Sequence, residues 1–471
     1  MPRKERPTFI ITLPLDTSLS DVSRLRSRLE CGKRIFNVTL QDGLRIVDAI
    51  RGDERWSAAR RLPRGTGRYN AFRAVREAHR FTQYAFHALA VAHKNAAGFA
   101  DRIGSHETQA IATRVFLALE QFLYGKRGRP RFKGVHRPLH SLEGKNNDGM
   151  LRWNAGPSSF QVERGWVIPV SLPDLRKDEW LAAALQFRTK YCRVVWKTLN
   201  GKLHWFVQLV QDGKAPVKAS VLHRIAPEGT VGGIDIGPSN IAWVTHADAG
   251  LQRFAPEVER PHAEIRRLQR HIDRQRRSNN PGNYHPDGRA RKGCRSWVRS
   301  LRQMQAERRM AEMYRYEADV RRQAHGRDTN LLLSKARTWR DDGVSPKALQ
   351  RRYGRSISVR APGHFMSELT RKADRAGGQR QIIDVYRLKT SQYDHTTDTF
   401  RKKKLSERRH VFGDGRGRVQ RDLYSAFLAR NSEGNTHQPP VLEKAWHELA
   451  SLLQQAGWYD IKPQEAGPAS P

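Results

Sequence analysis

The chain has 471 residues, with 86 lysines and arginines against 47 aspartates and glutamates and a formal charge of +39, an excess that no fold requires and that points to a polyanionic partner. No apolar run approaches the roughly 18 residues of a membrane-spanning helix, and the N-terminus carries no apolar signal-peptide core, so the sequence reads as a cytoplasmic protein with no membrane partner. Its 38% hydrophobic residues suffice for two or three modest cores, and Cys31, Cys192 and Cys294 form no CxxC pair, against both a disulfide framework and a thiolate zinc site.

In chain order, residues 36–47 (FNVTLQDGLRIV) are two alternating runs around Gln-Asp-Gly and predict a β-hairpin. Residues 70–125 place Phe72, Val75, Ala78, Phe81, Tyr84, Ala85, Leu89 and Ala90 at helical spacings. The basic stretch GKRGRPRFKG (125–134) is extended, since Pro130 and the glycines block a helix, and FQV, WVIPV, CRVVWKTL and LHWFVQLV read as strands. The N-terminal half is therefore expected to be a β-barrel-like, wedge-like unit (1–68 and 127–229) interrupted by a helical recognition insert (69–126). Its last part, 215–229, is polar with two prolines and reads as a linker.

From residue 230, VGGIDIGPSNIAWVTH has the apolar run, turn and second apolar run of an RNase H-like hairpin (first part, 230–257). Residues 258–327 are arginine-dense, helical in pattern and split by SNNPGNYHPDG (278–288), which predicts a basic helical hairpin. NLLLSKA (330–336) reads as a short buried strand. GHFMSELTRKADRAGG (363–378) reads as a glycine-terminated helix feeding the strand QIIDVYRL; these complete a second part, 328–392. After an insert at 393–417 comes the amphipathic helix VQRDLYSAFLAR (third part, 418–435), then a C-terminal helix and tail (436–471). The fold class is α+β and multidomain: a β-barrel unit with a helical insert, followed by an RNase H-like (RuvC) α/β domain into which the basic hairpin is inserted.

Two-metal nucleases gather carboxylates because hard cations take oxygen ligands and must clamp the attacking and leaving phosphate oxygens. Asp235, on the first strand of GGIDIG, suits that task, as does Asp422 at the start of its helix; a turn aspartate or a helix-dipole aspartate satisfies each pattern alone. The ordered series GGIDIGPSNIAWV, YGRSISVRAPGHFMSELTRKADRAGG, LKTSQ, KKKLSERRH and QRDLYSAFLAR resembles the RNA-guided nucleases of the TnpB type. It is most similar to their compact descendants, the type V CRISPR effectors of the V-M and V-U-like kind, over roughly residues 230–430. The resemblance places the first and last catalytic acids on Asp235 and Asp422 and the middle acid on Ser334, a residue without charge. It therefore implies a RuvC site that holds Mg²⁺ weakly and does not cut. Asp328, Asp341, Asp342 and Glu368 are the candidate stand-ins, and Asp384 reads as structural. The family's four-cysteine ribbon is also missing: SQYDHTTD and HVFGDG offer only Asp394, His395, His410 and Asp414, so no tightly bound metal and no zinc is expected.

For nucleic acid, Arg127, Arg129, Arg131 and Lys133 form an extended basic strip. Arg73, Arg76 and Arg80, with Arg68, recur at helical spacing as a surface for duplex. Arg266, Arg267, Arg270, Arg274, Arg276 and Arg277 are too dense in one sign for intrahelical pairing, and Lys402 and Lys403 extend the basic series. Trp297, Tyr314 and Tyr316 lie among these charges as stacking candidates, with core packing the alternative for Trp297. The resemblance implies a guide RNA as cofactor, target double-stranded DNA as partner, one protein per guide, and silencing by occupancy. An active Mg²⁺-dependent endonuclease and a transposon-derived RNA-guided repressor are the alternatives.

Overall fold

The computed structural model describes residues 7–134, 137–218, 224–294, 296–343, 346–404, 406–434 and 436–461. The chain divides into two compact units, Met1–Pro216 and Val217–Pro471, with the division inside the polar stretch expected as a linker.

In the first unit, β1 (Thr8–Pro14) leads into the long helix α1 (Leu19–Gly52), which Ser18 starts by accepting the Asp21 backbone N–H while Asp21 returns a bond to the Ser18 N–H. Such a reciprocal cap satisfies two otherwise orphaned donors. Residues 36–47 lie in this helix, which corrects the expected hairpin. Ile35, Phe36, Leu40, Leu44, Val47 and Ile50 are buried along one face. Gly43 is no turn residue: a Cβ there would lie 2.3 Å from Leu119 and 2.8 Å from Phe86, so the glycine allows a close helix crossing. Helices α2 (Glu54–Arg61), α3 (Thr66–Ala78), α4 (Gln83–Ala96) and α5 (Ser105–Leu123) follow, matching the helical periodicity of 70–125.

The β structure of this unit comprises β2 (Ser141–Glu143), β3 (Arg152–Asn154), β4 (Ser159–Glu163), β5 (Trp166–Pro169), β6 (Thr189–Leu199) and β7 (Lys202–Asp212), with α6 (Glu179–Leu185) between β5 and β6. They form an open four-stranded sheet, β1-β7-β6-β2, and a three-stranded sheet, β3-β4-β5. No closed barrel forms among the described residues, so the barrel expectation is corrected to two open sheets sharing one apolar core with the helices.

The second unit opens with β8 (Val231–Ile236), β9 (Asn240–Val244) and β10 (Ala249–Arg253), the hairpin expected from VGGIDIGPSNIAWV plus one strand. Helices α7 (His262–Asn279) and α8 (Leu301–Lys335) form the basic helical pair. Strand β11 (Thr338–Asp341), α9 (Pro346–Arg360), α10 (Pro362–Arg375), β12 (Arg380–Ile382) and α11 (Val385–Leu388) complete a mixed sheet of order β10-β9-β8-β11-β12. Short strands β13 (Tyr393–Asp394), β14 (Thr399–Phe400), β15 (Arg409–Val411) and β16 (Gly417–Gln420) precede helix α12 (Arg421–Arg430). Helix α13 (Pro439–Gln455) and β17 (Tyr459–Ile461), which pairs with β16, end the described chain.

The segment 330–336 is helical throughout its first six residues, the last turn of α8, and not a strand. Leu332 and Leu333 continue the buried stripe of Ala324, Asp328 and Thr329 at helical spacing, and the Ala336 N–H closes on the Leu332 carbonyl. The strand expected there lies further on, as β11.

Candidate functional site

Two adjacent glycines govern the centre of the second unit. Successive strand residues face opposite sides of a sheet. On one side a Cβ at Gly232 would lie 2.5 Å from the Trp339 ring; on the other, a Cβ at Gly233 would lie 1.9 Å from the Ala426 carbonyl oxygen of α12. Only glycines admit both neighbours. Asp235, two residues beyond Gly233, shares the α12 face, and Asp422 is the second residue of that helix, one turn before Ala426. The sequence thereby brings its two acids toward one place.

The third acid directly follows β11. This strand runs parallel to β8 with Thr338 opposite Val231, Trp339 opposite Gly232 and Arg340 opposite Gly233. Asp342 is the residue that follows the end of this strand. Asp235, Asp342 and Asp422 line a single cavity of about 510 Å³ together with Lys402, Lys403, Arg408 and Arg421. The Asp235 carboxyl is pushed well above its ordinary range, first by burial and then by the negative charges of Asp342 and Asp422. Like charges sharing a site produce this effect.

Ser334 is not in the cavity. It is exposed, and its hydroxyl donates to the Leu331 carbonyl 2.7 Å away within α8, which corrects its placement as the middle-acid position. Of the stand-ins, Asp341 faces the other way, buried and ion-paired with Arg380 at 2.6 Å. Asp328 is buried in α8 beside Arg327, and Glu368 pairs with Arg371 on α10. Asp384 caps α11, accepting the Tyr386 and Arg387 N–H groups. Asp342 alone among them lines the cavity.

Three carboxylates are a suitable donor set for a hard cation. Among the described residues, however, no three acidic, histidine or cysteine side chains form a ready metal cage. Mg²⁺ asks for the first condition more than the second, because it keeps waters and substrate phosphate oxygens among its ligands. Asp422 also leans on protein partners, Arg421 at 3.3 Å and the Gln420 amide at 3.4 Å.

Of the basic candidates, Arg266, Arg267, Arg270, Arg274, Arg276 and Arg277 are exposed on α7. The Arg276 guanidinium lies 4.0 Å over the Trp297 ring, which also meets Tyr284 edge-on, so Trp297 packs the hairpin loop, while Tyr316 is 66% exposed. In the first unit, Arg127, Arg129, Arg131 and Phe132 are exposed in a stretch without regular structure, and Lys133 is half-buried near the Phe36 ring. Arg73 and Arg76 pair with Glu77 and Glu120, both at 2.8 Å; Arg80 is exposed in a left-handed turn with φ 51°.

No family model matches the sequence, and no curated protein matches it. Its structural neighbours are CRISPR Cas12f complexes. The cryo-EM structure of the Cas12f1–sgRNA–target DNA complex is similar with a TM-score of 0.46 and 12% identity over 87% of this chain and 82% of that one. The CRISPR–Cas12f ternary complex has a TM-score of 0.28 and 12% identity over 88% and 83%. At such identities and scores the likeness is one of coarse form, and the functional reading rests on this chain's own residues.

Proposed function

We propose that the chain is an RNA-guided protein that binds double-stranded DNA through a short flanking motif and a guide-complementary target, and silences the target by occupancy. The observation that carries this reading is the cavity in which Lys402, Lys403, Arg408 and Arg421 share walls with three carboxylates: cations suited to a phosphate backbone beside an acidic centre. The motif order and the +39 charge support the guided form, with guide RNA as cofactor and one protein per guide. Occupancy in place of cutting follows the resemblance of the motif series to effectors of the V-M kind. Sequencing the RNA that co-purifies from cells carrying the native locus tests the reading. A uniform RNA with a constant handle and variable segment is expected; a heterogeneous mixture of cellular RNA refutes it. Asp235→Ala should leave interference intact, and loss of interference with binding preserved would refute occupancy.

Asp342 favours a second reading, a Mg²⁺-dependent DNA endonuclease, because it supplies the third acid that Ser334 lacks. A bound Mg²⁺ would polarise the scissile phosphate and lower the pKa of an attacking water. Asp235, Asp342 and Asp422 would hold it, and Arg421 would steady Asp422. Target nicking in Mg²⁺ or Mn²⁺, lost in both Asp342→Ala and Asp422→Ala, would establish this reading over the first.

A further inference from the structure

The segment where a cysteine ribbon is expected holds a buried polar network. Asp394 accepts the Gly413 N–H at 2.8 Å and both the N–H and hydroxyl of Thr396, at 3.0 and 2.8 Å. Its second oxygen lies 3.5 Å from His410 Nε2. His410 is 1% exposed and stacks on Tyr424 of α12 with ring centroids 4.2 Å apart. The other ring nitrogen, Nδ1, meets Lys403 Nζ. Since an ammonium only donates, Nδ1 is the acceptor and the ring proton sits on Nε2, facing Asp394. Lys403 also donates to the Ser391 carbonyl at 3.2 Å.

An ammonium has three N–H donors. The Ser391 and His410 bonds engage two, and no carboxylate pairs with Lys403 among the described residues. The side chain lines the same cavity as Asp235, Asp342 and Asp422, so its remaining donor is available to an acceptor that enters there. Burial and the neighbouring Arg401 hold the amine down to about 8, against the opposing pull of Asp394 and Glu407. The network is tied to the carboxylates through α12: Tyr424 supports His410, and Asp422 lies two residues earlier.

We infer that Lys403, aimed by His410 and Asp394, grips a phosphate oxygen of a nucleic-acid strand and positions that strand over Asp235, Asp342 and Asp422. This rests on the reading that the cavity receives a nucleic-acid strand. It gives the ribbon-like segment a role without metal, that of holding one cation at the site. Lys403 is thus a positioning residue.

The test is lysine acetylation of the full chain, read by mass spectrometry, with and without a short single-stranded DNA, and with a peptide nucleic acid of the same sequence, which has bases but no phosphates. Lys403 should be protected severalfold by the DNA and not by the phosphate-free strand. Equal labelling with and without DNA would overturn the inference. In parallel, Lys403→Met should flatten the log-log salt dependence of DNA binding by about 0.7, one phosphate contact on a single strand, and Lys403→Arg should restore it. His410→Phe, which keeps the stack on Tyr424 but removes the acceptor, should resemble Lys403→Met. An unchanged slope in Lys403→Met would equally overturn the inference. Heterogeneous co-purifying RNA would refute guided targeting while leaving the footprint untouched, whereas unprotected Lys403 in a protein carrying a uniform guide would refute the grip alone.

Discussion

Gly233→Ala tests the geometry that brings the acids together. Gly233 is not among the residues of positive φ, so alanine meets no backbone penalty there and the clash is the only new term. The added Cβ would sit 1.9 Å from the Ala426 carbonyl oxygen and 2.5 Å from the Arg430 nitrogen, where real contacts do not fall below 3.0 Å. Helix α12 must therefore withdraw from β8 by at least about 1 Å. Both partners are backbone, so no side chain can rotate to relieve the contact. Overpacking usually destabilises by about 1–3 kcal/mol, and a clash of this kind belongs at the upper end, about 3 kcal/mol. For a unit of this size that lowers the melting temperature by roughly 6–12 °C. The assay is thermal unfolding of the full chain with Gly237→Ala as control, since a Cβ there lies 3.4 Å from the Asn240 oxygen. A Gly233→Ala protein melting within about 2 °C of the parent would refute the close approach of α12 and with it the convergence of Asp235 and Asp422.

Ser334→Ala, on the exposed face of α8, should change stability by less than about 0.5 kcal/mol and leave nucleic-acid binding unchanged by filter assay; an effect comparable to Asp342→Ala would restore the sequence-based placement of the middle acid. Arg28 is buried between Glu107 (2.6 Å) and Glu163 (2.8 Å), so Arg28→Ala strands a buried carboxylate and should cost about 3–5 kcal/mol in denaturant unfolding. His325, held down to about 4 by burial, contacts His364 Nδ1 at 3.0 Å and the Arg360 carbonyl at 2.9 Å. Its folded pKa lies below the ordinary 6.5, so the unfolded chain binds the proton first and stability falls as pH drops from about 6.5 toward 4. A melting series across that window should show the fall, and His325→Gln should reduce it. Metal analysis should find no stoichiometric zinc, and chelation should leave the melting temperature unchanged; one tightly held zinc per chain would contradict the polar network around Asp394 and His410.

Where hydrophobic period and turn chemistry agreed, the sequence was legible. The β8–β9 hairpin, the α7–α8 pair, α10 with its terminal glycine and α12 all lie where their patterns place them. Residues 36–47 misled because Gln-Asp-Gly is a turn signature only when the chain must reverse. Here Asp42 bonds His93 at 2.8 Å and Gly43 opens a helix crossing, so tertiary packing reassigns both. The barrel failed for a related reason: alternation reports which face of a strand is buried, and says nothing about whether the sheet closes.

The place of Asp342 was illegible for a more instructive reason. LLL bounded by polar residues fits a buried strand and the end of a buried helix equally well, because periodicity over so few residues cannot separate the two. The deciding information lies outside the segment. Leu332 and Leu333 continue a buried stripe that begins two turns earlier at Ala324, so α8 runs on and the strand is displaced to TWRD. That displacement leaves Ser334 exposed on a helix and puts Asp342, just past the end of β11, in the cavity that Asp235 lines. A carboxylate cluster drawn from a strand, a strand's end and a helix start depends on where each element stops, and an error of a few residues in one element's end exchanges a neutral residue for a charged one.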